Sequence, residues 1–433
     1  MSPVGRALAA ELFGEASGVL TIGGVSVEAL AAAHGTPLYV YDAAILRRQL
    51  DALRAALPEP VDIFYSIKAN PTPHVVRVLV EAGAGCEIAS AAEYLRARAA
   101  GCAAERIVFA GPGKGEAELA EVVAGGIGEI HVESEDEIAL LGAIAAHAGR
   151  TVDVSIRVNP ARAVAGGSMQ MGGHPAAFGI DEERLADAAG RVRAEPRLRL
   201  RGLHQFAGTQ ILDAGVLLAQ WRHAVELGAG LASITGEPPH TIDLGGGLGI
   251  PYFSHETPLD LAAVKRGAAE LLADLPGALG STRFIVEPGR FLAGPAGLYV
   301  AHVLSVKVSR GVTYVILDGG MHHHLAASGN LGQVIKRDYP IVNASRLGDA
   351  PSLAATVCGP LCTPLDTLAR QAELAPARPG DLIAILQSGA YGLTASPVGF
   401  LGHPMPAEVL VDAGEARRIR ARGTFAQPLA PLP

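Results

Sequence analysis

Between about residues 36 and 290 the chain alternates between two textures. Short apolar, β-branched runs give way to loops and then to segments rich in Ala, Leu, Arg and Glu. Eight runs of the first kind occur: DIFYSIKAN, GCEIAS, RIVFAG, EIHVES, DVSIRVN, RGLHQFAG, TIDLGGG and RFIVEPG. Their largely apolar character predicts strands covered on both faces. The segments 73–82, 91–100, 116–124 and 135–148 between them space their apolar residues as amphipathic helices do. Eight strand–helix units predict a (β/α)8 barrel, an α/β fold with parallel strands inside a helical shell. An open doubly wound sheet is compatible with the same count.

After Pro295 the helical periodicity fades. Residues 298–308, 312–317, 354–359, 381–386 and 409–411 read as strands separated by Gly/Pro turns. The organisation expected is an N-terminal segment, 1–35, joining a β domain; a barrel over 36–290; and a C-terminal β domain over 291–433. Residues 38–41, before the first barrel strand, are a further strand candidate that suits the β domain.

Composition narrows the class. The 433 residues carry Lys+Arg 35 against Asp+Glu 43, a formal net charge of -8, which argues against a broad nucleic-acid or anionic-membrane surface. Four cysteines exclude a disulfide scaffold and fit a reducing compartment. Mean hydropathy is +0.29, so a membrane span has to be considered. The longest stretch free of Asp, Glu, Lys and Arg, 382–407, is broken by Gly389, Gly392, Pro397, Gly399, Gly402, Pro404 and Pro406 and is not one helix. A soluble cytoplasmic protein is expected. Gly 53 of 433 residues is about 12%, above the usual ~7%.

Polar and glycine residues collect at the C-terminal ends of the strand runs, where barrels of this class place their chemistry. The first run ends in Lys68, the sixth in Gly208 and Thr209, the seventh in Gly245, Gly246 and Gly247, and the eighth in Glu287, Gly289 and Arg290. A lysine in an apolar run is neutralised, paired or covalently used, unless it simply reaches solvent at the strand end. Triple glycine lets backbone amides approach an anion closely, although glycine-rich turns are also common connectors. Glu287 beside Arg290 also suits a local ion pair. A buried amine, an anion cradle, a second cation and a carboxylate together match the needs of pyridoxal phosphate: a Schiff-base lysine, phosphate donors and an acid for the ring nitrogen.

On FYSIKAN, GLHQFAGTQ, DLGGGLG, VEPGR, CGPLCTPLD and SGAYG, in that order, the chain resembles the fold-type III pyridoxal-phosphate decarboxylases, the group of diaminopimelate, ornithine and arginine decarboxylases. The resemblance covers nearly the whole length. It implies that Lys68 carries the cofactor and that Glu287 binds the pyridine nitrogen. Gly245, Gly246, Gly247, Gly289, Arg290 and Thr209 would surround the phosphate, with Tyr391 closing it. It further implies a homodimer with shared active sites, in which Cys362 is the acid that reprotonates Cα. A carboxylate at the ring nitrogen favours decarboxylation over the racemisation of related barrels that place an arginine there.

The chain departs from that pattern around the substrate. Thr363 follows Cys362 where diaminopimelate enzymes carry an acid, with Asp366 in the same loop. After the DGGM run come His322, His323, His324, Leu325 and Ala326, and Ala326 falls at the family's distal-carboxylate arginine. Phe206 replaces the histidine that packs on the cofactor ring. The loop 167–173, with Met169 and Met171, replaces a shorter segment. These features resemble decarboxylases of secondary metabolism, including enzymes of carrier-tethered glutamyl groups and an exosortase-associated group. They imply an α-amino acid with an extended or tethered side chain, contacted by Thr363, Asp366, Met171 and His324. The alternatives are an ordinary meso-diaminopimelate decarboxylase of lysine biosynthesis and a non-catalytic pyridoxal-phosphate-binding homologue.

No metal is expected. Three consecutive histidines in an extended segment alternate faces, so His322, His323 and His324 read as a pocket wall or polar surface. Arg157 and Asn159 are candidates to tie the cofactor loop, and His204 is a candidate support for Phe206. Cys358 reads as a buried strand thiol, and Cys86 and Cys102 show no partner signal.

Overall fold

The computed structural model describes residues 3–161, 169–170, 175–206, 208–331, 333 and 336–425. It contains two compact units. One comprises Gln49–Ile250 and Thr257–Phe291; the other comprises Met1–Arg48, Pro251–Glu256 and Leu292–Pro433.

The first unit is the barrel. Its eight strands are β1 (Val61–Ser66), β2 (Gly85–Ile88), β3 (Ile107–Phe109), β4 (Glu129–Val132), β5 (Val152–Asn159), β6 (Leu198–Gln205), β7 (Thr241–Asp243) and β8 (Arg283–Val286). All neighbours are parallel, β8 pairs with β1, and β4 pairs with β5 to close the ring. The open doubly wound alternative is thereby excluded. The helices between them, Pro73–Glu81, Ala91–Ala99, Glu116–Ala124 and Glu135–His147, lie where the apolar spacing predicts. Ser90 and Ser134 accept the Glu93 and Glu137 amides at two of these N-termini, each capping a donor the helix leaves orphaned.

Beside a small three-stranded sheet between Gly14 and Ser26, the second unit is built on a nine-stranded sheet. Along its main path the order runs Thr367–Leu374, Leu353–Cys358, Val312–Leu317, Gly297–Ser309, Leu38–Asp42, Ala407–Asp412 and Glu415–Arg420. Leu38–Asp42 lies inside this sheet because both its edges are paired, antiparallel to Gly297–Ser309 and parallel to Ala407–Asp412. Leu38, Val40, Leu298, Val300, Val409 and Val411 form its apolar centre with Leu20, Ile22 and Leu30. Among the described residues no helix is long and apolar enough to cross a membrane.

Candidate active site

Strand alternation points Glu129 and His131 of β4 to one face, and Glu133 follows just past the strand end. Barrel interiors are normally filled by branched aliphatic residues. Here Glu129, His131, His204, Asp243 and Glu287 are buried instead. His131 Nδ1 and His204 Nδ1 are 3.0 Å apart. At the outer ends, His131 Nε2 stands 3.3 Å from Glu129 Oε1, and His204 Nε2 stands 3.3 Å from Glu287 Oε2. Donor atoms of His131, His204, Asp243 and Glu287 all lie within 4.8 Å of one another.

The electrostatics follow from this crowding. Burial lowers the His204 pKa to about 4, against the pull of Glu287. Burial would raise the Glu287 carboxyl, but His204 beside it, and then Lys68, hold it below its ordinary value. Asp243 is pushed well up by burial and then by the Glu287 charge. Its Oδ1 accepts the Gly245 amide at 2.8 Å. Asp243 is therefore the protonated carboxyl of the pair and Glu287 the ionised one.

Lys68 sits just beyond β1, where Ile67–Ala69 turns into a single 3-10 turn. That turn carries the side chain outward, and it is 42% exposed. The sequence reading of a buried amine is corrected on this point. Lys68 Nζ lies 2.6 Å from Glu87 Oε2 on the adjacent strand, an oxygen that Ser66 Oγ also approaches. Glu87 was not anticipated, although a carboxylate inside the apolar run GCEIAS is the signal that marks it.

The glycines of the seventh strand end are required by close packing. A Cβ at Gly245 would stand 2.3 Å from the Gln205 carbonyl oxygen, and one at Gly246 would stand 2.3 Å from that of Glu287. Gly247 has φ +93 and would press on the Gly208 carbonyl. The Gly246 and Gly247 amides have no acceptor among the described residues. Gly289 packs on Ser66 and Ala69, and Arg290 opens the short helix Arg290–Ala293. Thr209 lies in a two-residue strand paired with Met169–Gln170. Phe206 is half-buried, with the Arg157 guanidinium 6.0 Å from its ring centre. Arg157 binds Glu133 at 2.7 Å, and Glu133 also accepts the Gly111 and Gly179 amides, so the pair ties three strand ends together. Asn159 donates to Asp181 at 2.9 Å. Met171, Gly172 and Gly173 lie outside the described residues.

In the β unit, Cys362 is exposed. Thr363 Oγ1 accepts the Leu365 amide at 3.3 Å, a bond within its own loop. Asp366 is buried and turned inward: Oδ1 accepts the Met321 amide at 2.6 Å and Oδ2 the Leu361 amide at 2.8 Å. It clamps the DGGM turn to the Cys362 loop. Tyr391 has φ +52 and Gln387 φ +54, backbone conformations that side chains rarely adopt.

His322, His323 and His324 are all buried, which corrects the polar-surface reading; they sit in and after a turn instead of an extended run. Burial lowers their pKa values to about 4, about 2 and about 3 respectively. His324 Nε2 meets Ser388 Oγ at 2.9 Å while the Ala327 amide donates to Nδ1, which fixes the Nε2–H tautomer. Cys86 and Cys102 are both buried free thiols, and Cys102 Sγ donates to the Arg106 carbonyl at 3.5 Å. Cys358 is half-buried.

The donor set of the barrel fits pyridoxal phosphate. Glu287 Oε1 is buried without a partner, two glycine amides have no acceptor, and a lysine stands at the adjacent strand end. Residues 43–294 match the family described as "Pyridoxal-dependent decarboxylase, pyridoxal binding domain". The chain is 38% identical to the L-glutamyl-[BtrI acyl-carrier protein] decarboxylase of Niallia circulans, over 92% of this chain and 94% of that protein. It is 34% identical to the diaminopimelate decarboxylase of Aquifex aeolicus, over 94% of both. A solved structure from Aquifex aeolicus superposes with TM-score 0.85 at 31% identity, covering 98% of each chain. The chain belongs to the pyridoxal-dependent decarboxylases of fold-type III and is an amino-acid carboxy-lyase.

Proposed function

We propose that the substrate is an α-amino acid whose side chain is extended or tethered to a carrier protein, and that the product is the corresponding amine with release of CO2. The observation that carries this reading is the lack of charge at two positions. Ala326 is a buried methyl, and Thr363 spends its hydroxyl within its own loop. Neither neutralises a free ammonium or carboxylate at the far end of a diamino acid. The similarity to a decarboxylase of a carrier-bound glutamyl group supports the same reading.

When bound, pyridoxal phosphate supplies the electron-accepting ring that takes the electron pair of the breaking Cα–carboxylate bond. Lys68 would hold its aldehyde carbon, with Glu87 positioned to keep or accept the proton at Nζ. Glu287 Oε1 would hold the proton on the ring nitrogen. Gly245, Gly246, Gly247, Gly289, Arg290, Thr209 and Tyr391 would hold the phosphate, and Phe206 would cover the ring face. We assign Asp366 to positioning the Cys362 loop, because both its oxygens already accept backbone amides. We further propose a homodimer in which Cys362 of the partner subunit returns a proton to Cα. The acidic balance of the chain suits a small-molecule or carrier-tethered substrate, and its four cysteines suit a reducing cytoplasm.

Carbon dioxide release tests the reading, with glutamyl-loaded carrier protein, γ-amide-extended glutamate, free glutamate, ornithine and meso-diaminopimelate offered in parallel. Extended or carrier-bound substrates should turn over at least about tenfold more efficiently than free diamino acids, the discrimination expected when a distal charge finds no partner. Equal turnover of meso-diaminopimelate would sink it and favour the lysine-biosynthetic reading, which the similarity to diaminopimelate decarboxylases supports. Lys68, Glu287 and Cys362 are all present, which argues against a non-catalytic homologue.

A further inference from the structure

The β unit contains a cavity of about 520 Å³ lined by residues 252–255, 336–341 and 370–372. That volume is in the usual range for a small-molecule site. Its walls are aromatic: Tyr252 and Tyr339 pack with ring centres 4.4 Å apart, and Phe253 lies beside them. Three cations line it, Lys336, Arg337 and Arg370, in a chain whose formal net charge is -8. The single carboxylate of the lining, Asp338, is engaged by Arg370, through its backbone amide at 2.6 Å and its guanidinium at 3.4 Å. Arg337 has no carboxylate partner among the described residues; it lies 5.4 Å from the Phe253 ring centre and touches His255 at 2.8 Å. Lys336 has none either, and donates to the neutral Asn330.

Two cations without counter-charges beside aromatic walls select an anion attached to an apolar group. The cavity is also joined to the segments singled out above. Tyr339 meets His324 edge-on at 5.5 Å. Asn330, which Lys336 holds, donates to the Leu365 carbonyl in the Cys362 loop at 3.2 Å.

We propose that this cavity binds the phosphate of a pantetheine-type arm that carries the substrate. The proposal rests on the tethered-substrate reading and adds the site that would recognise the tether. The shared chemistry is a phosphate ester on an aliphatic amide chain, supplied by a carrier protein or by a coenzyme A thioester.

The test compares glutamyl-phosphopantetheine with glutamyl-pantetheine, which lacks the phosphate, on the intact enzyme. Glutamyl-carrier protein and glutamyl-coenzyme A are run beside them to separate the two sources. In the wild type the phosphate should raise kcat/KM about tenfold, the equivalent of ~1.4 kcal/mol. In Lys336→Gln/Arg337→Gln that preference should collapse towards unity while turnover of the phosphate-free compound is unchanged. Arg337→Glu alone serves as the second variant if the double one is poorly folded. Phosphopantetheine binding, measured by calorimetry on wild type and variant, reads the cavity independently of turnover. Binding lost in the variant supports the proposal; binding equal in both, or a phosphate preference that survives the substitutions, overturns it. Should no pantetheine thioester be turned over while phosphopantetheine still binds through Lys336 and Arg337, the tethered-substrate reading falls and the anion site stands.

Discussion

His131 Nδ1 and His204 Nδ1 face each other at 3.0 Å inside the barrel, so one imidazole donates to the other. Glu129 and Glu287 stand 3.3 Å from the outer nitrogens of the row. Burial keeps His204 neutral, so it carries one ring proton, and the ionised Glu287 beside Nε2 favours Nε2–H, leaving Nδ1 to accept from His131. The expected result of nitrogen-15 NMR is an Nε2–H tautomer for His204. His131→Phe should scramble that tautomer and lower stability by about 1–3 kcal/mol, the cost of leaving a buried partner unsatisfied.

Four buried histidines, His204, His322, His323 and His324, have pKa values of about 4, about 4, about 2 and about 3 against 6.5 when exposed. The unfolded chain takes up protons that the folded chain refuses between pH 6.5 and about 4. Their contribution is complete above pH 6.5 and is lost as pH falls through that window, by up to about 1.4 kcal/mol per pH unit for each group. Denaturant midpoints should drop steeply from pH 6.5 to 4.5. A flat profile there would contradict the buried-neutral assignment.

Glu287→Gln keeps the shape of the strand end but removes the charge that would hold the ring-nitrogen proton. Turnover should fall by about 10²–10³, as for loss of one preorganised electrostatic group. Cofactor retention, read by absorbance, should fall much less. Comparable loss of both would assign Glu287 to cofactor binding alone.

Lys68→Ala should abolish turnover and the absorbance band of lysine-bound cofactor. Glu87→Gln should preserve the band, because the amine remains, while shifting the pH at which it titrates. A Lys68→Ala protein that keeps both band and activity would refute the attachment site.

Gly246→Ala places a methyl 2.3 Å from the Glu287 carbonyl oxygen. The strand ends must part, at about 1–3 kcal/mol for overpacking, and cofactor affinity should fall with them. Equilibrium dialysis against pyridoxal phosphate reads the loss.

The barrel was legible because its strands are buried on both faces and its helices are not. Its polar centre was not. Glu129 and His131 sit two residues apart in a short run, and spacing does not reveal which face of a strand meets Glu287 across the barrel. In the β unit, Thr367–Leu374 and Glu415–Arg420 escaped notice because charged residues interrupt both; Glu415–Arg420, at a sheet edge, is mostly exposed. Edge strands commonly carry charge, which blunts pairing with other chains and also erases the hydrophobic pattern. Asp366 was recognised as belonging to the Cys362 loop, but only its inward bonds reveal that it holds the loop together.

The strand Leu38–Asp42 has its two neighbours at Gly297–Ser309 and Ala407–Asp412, far along the chain. During synthesis it leaves the ribosome before the barrel strands and waits for partners made after them. Its sequence, LYVYD, is apolar and rich in β-forming residues, with both edges unpaired throughout that interval. Production of the protein is therefore most exposed to aggregation before the C-terminal strands emerge. Truncations that remove Ala407–Asp412 should yield insoluble chains even though every barrel strand is intact.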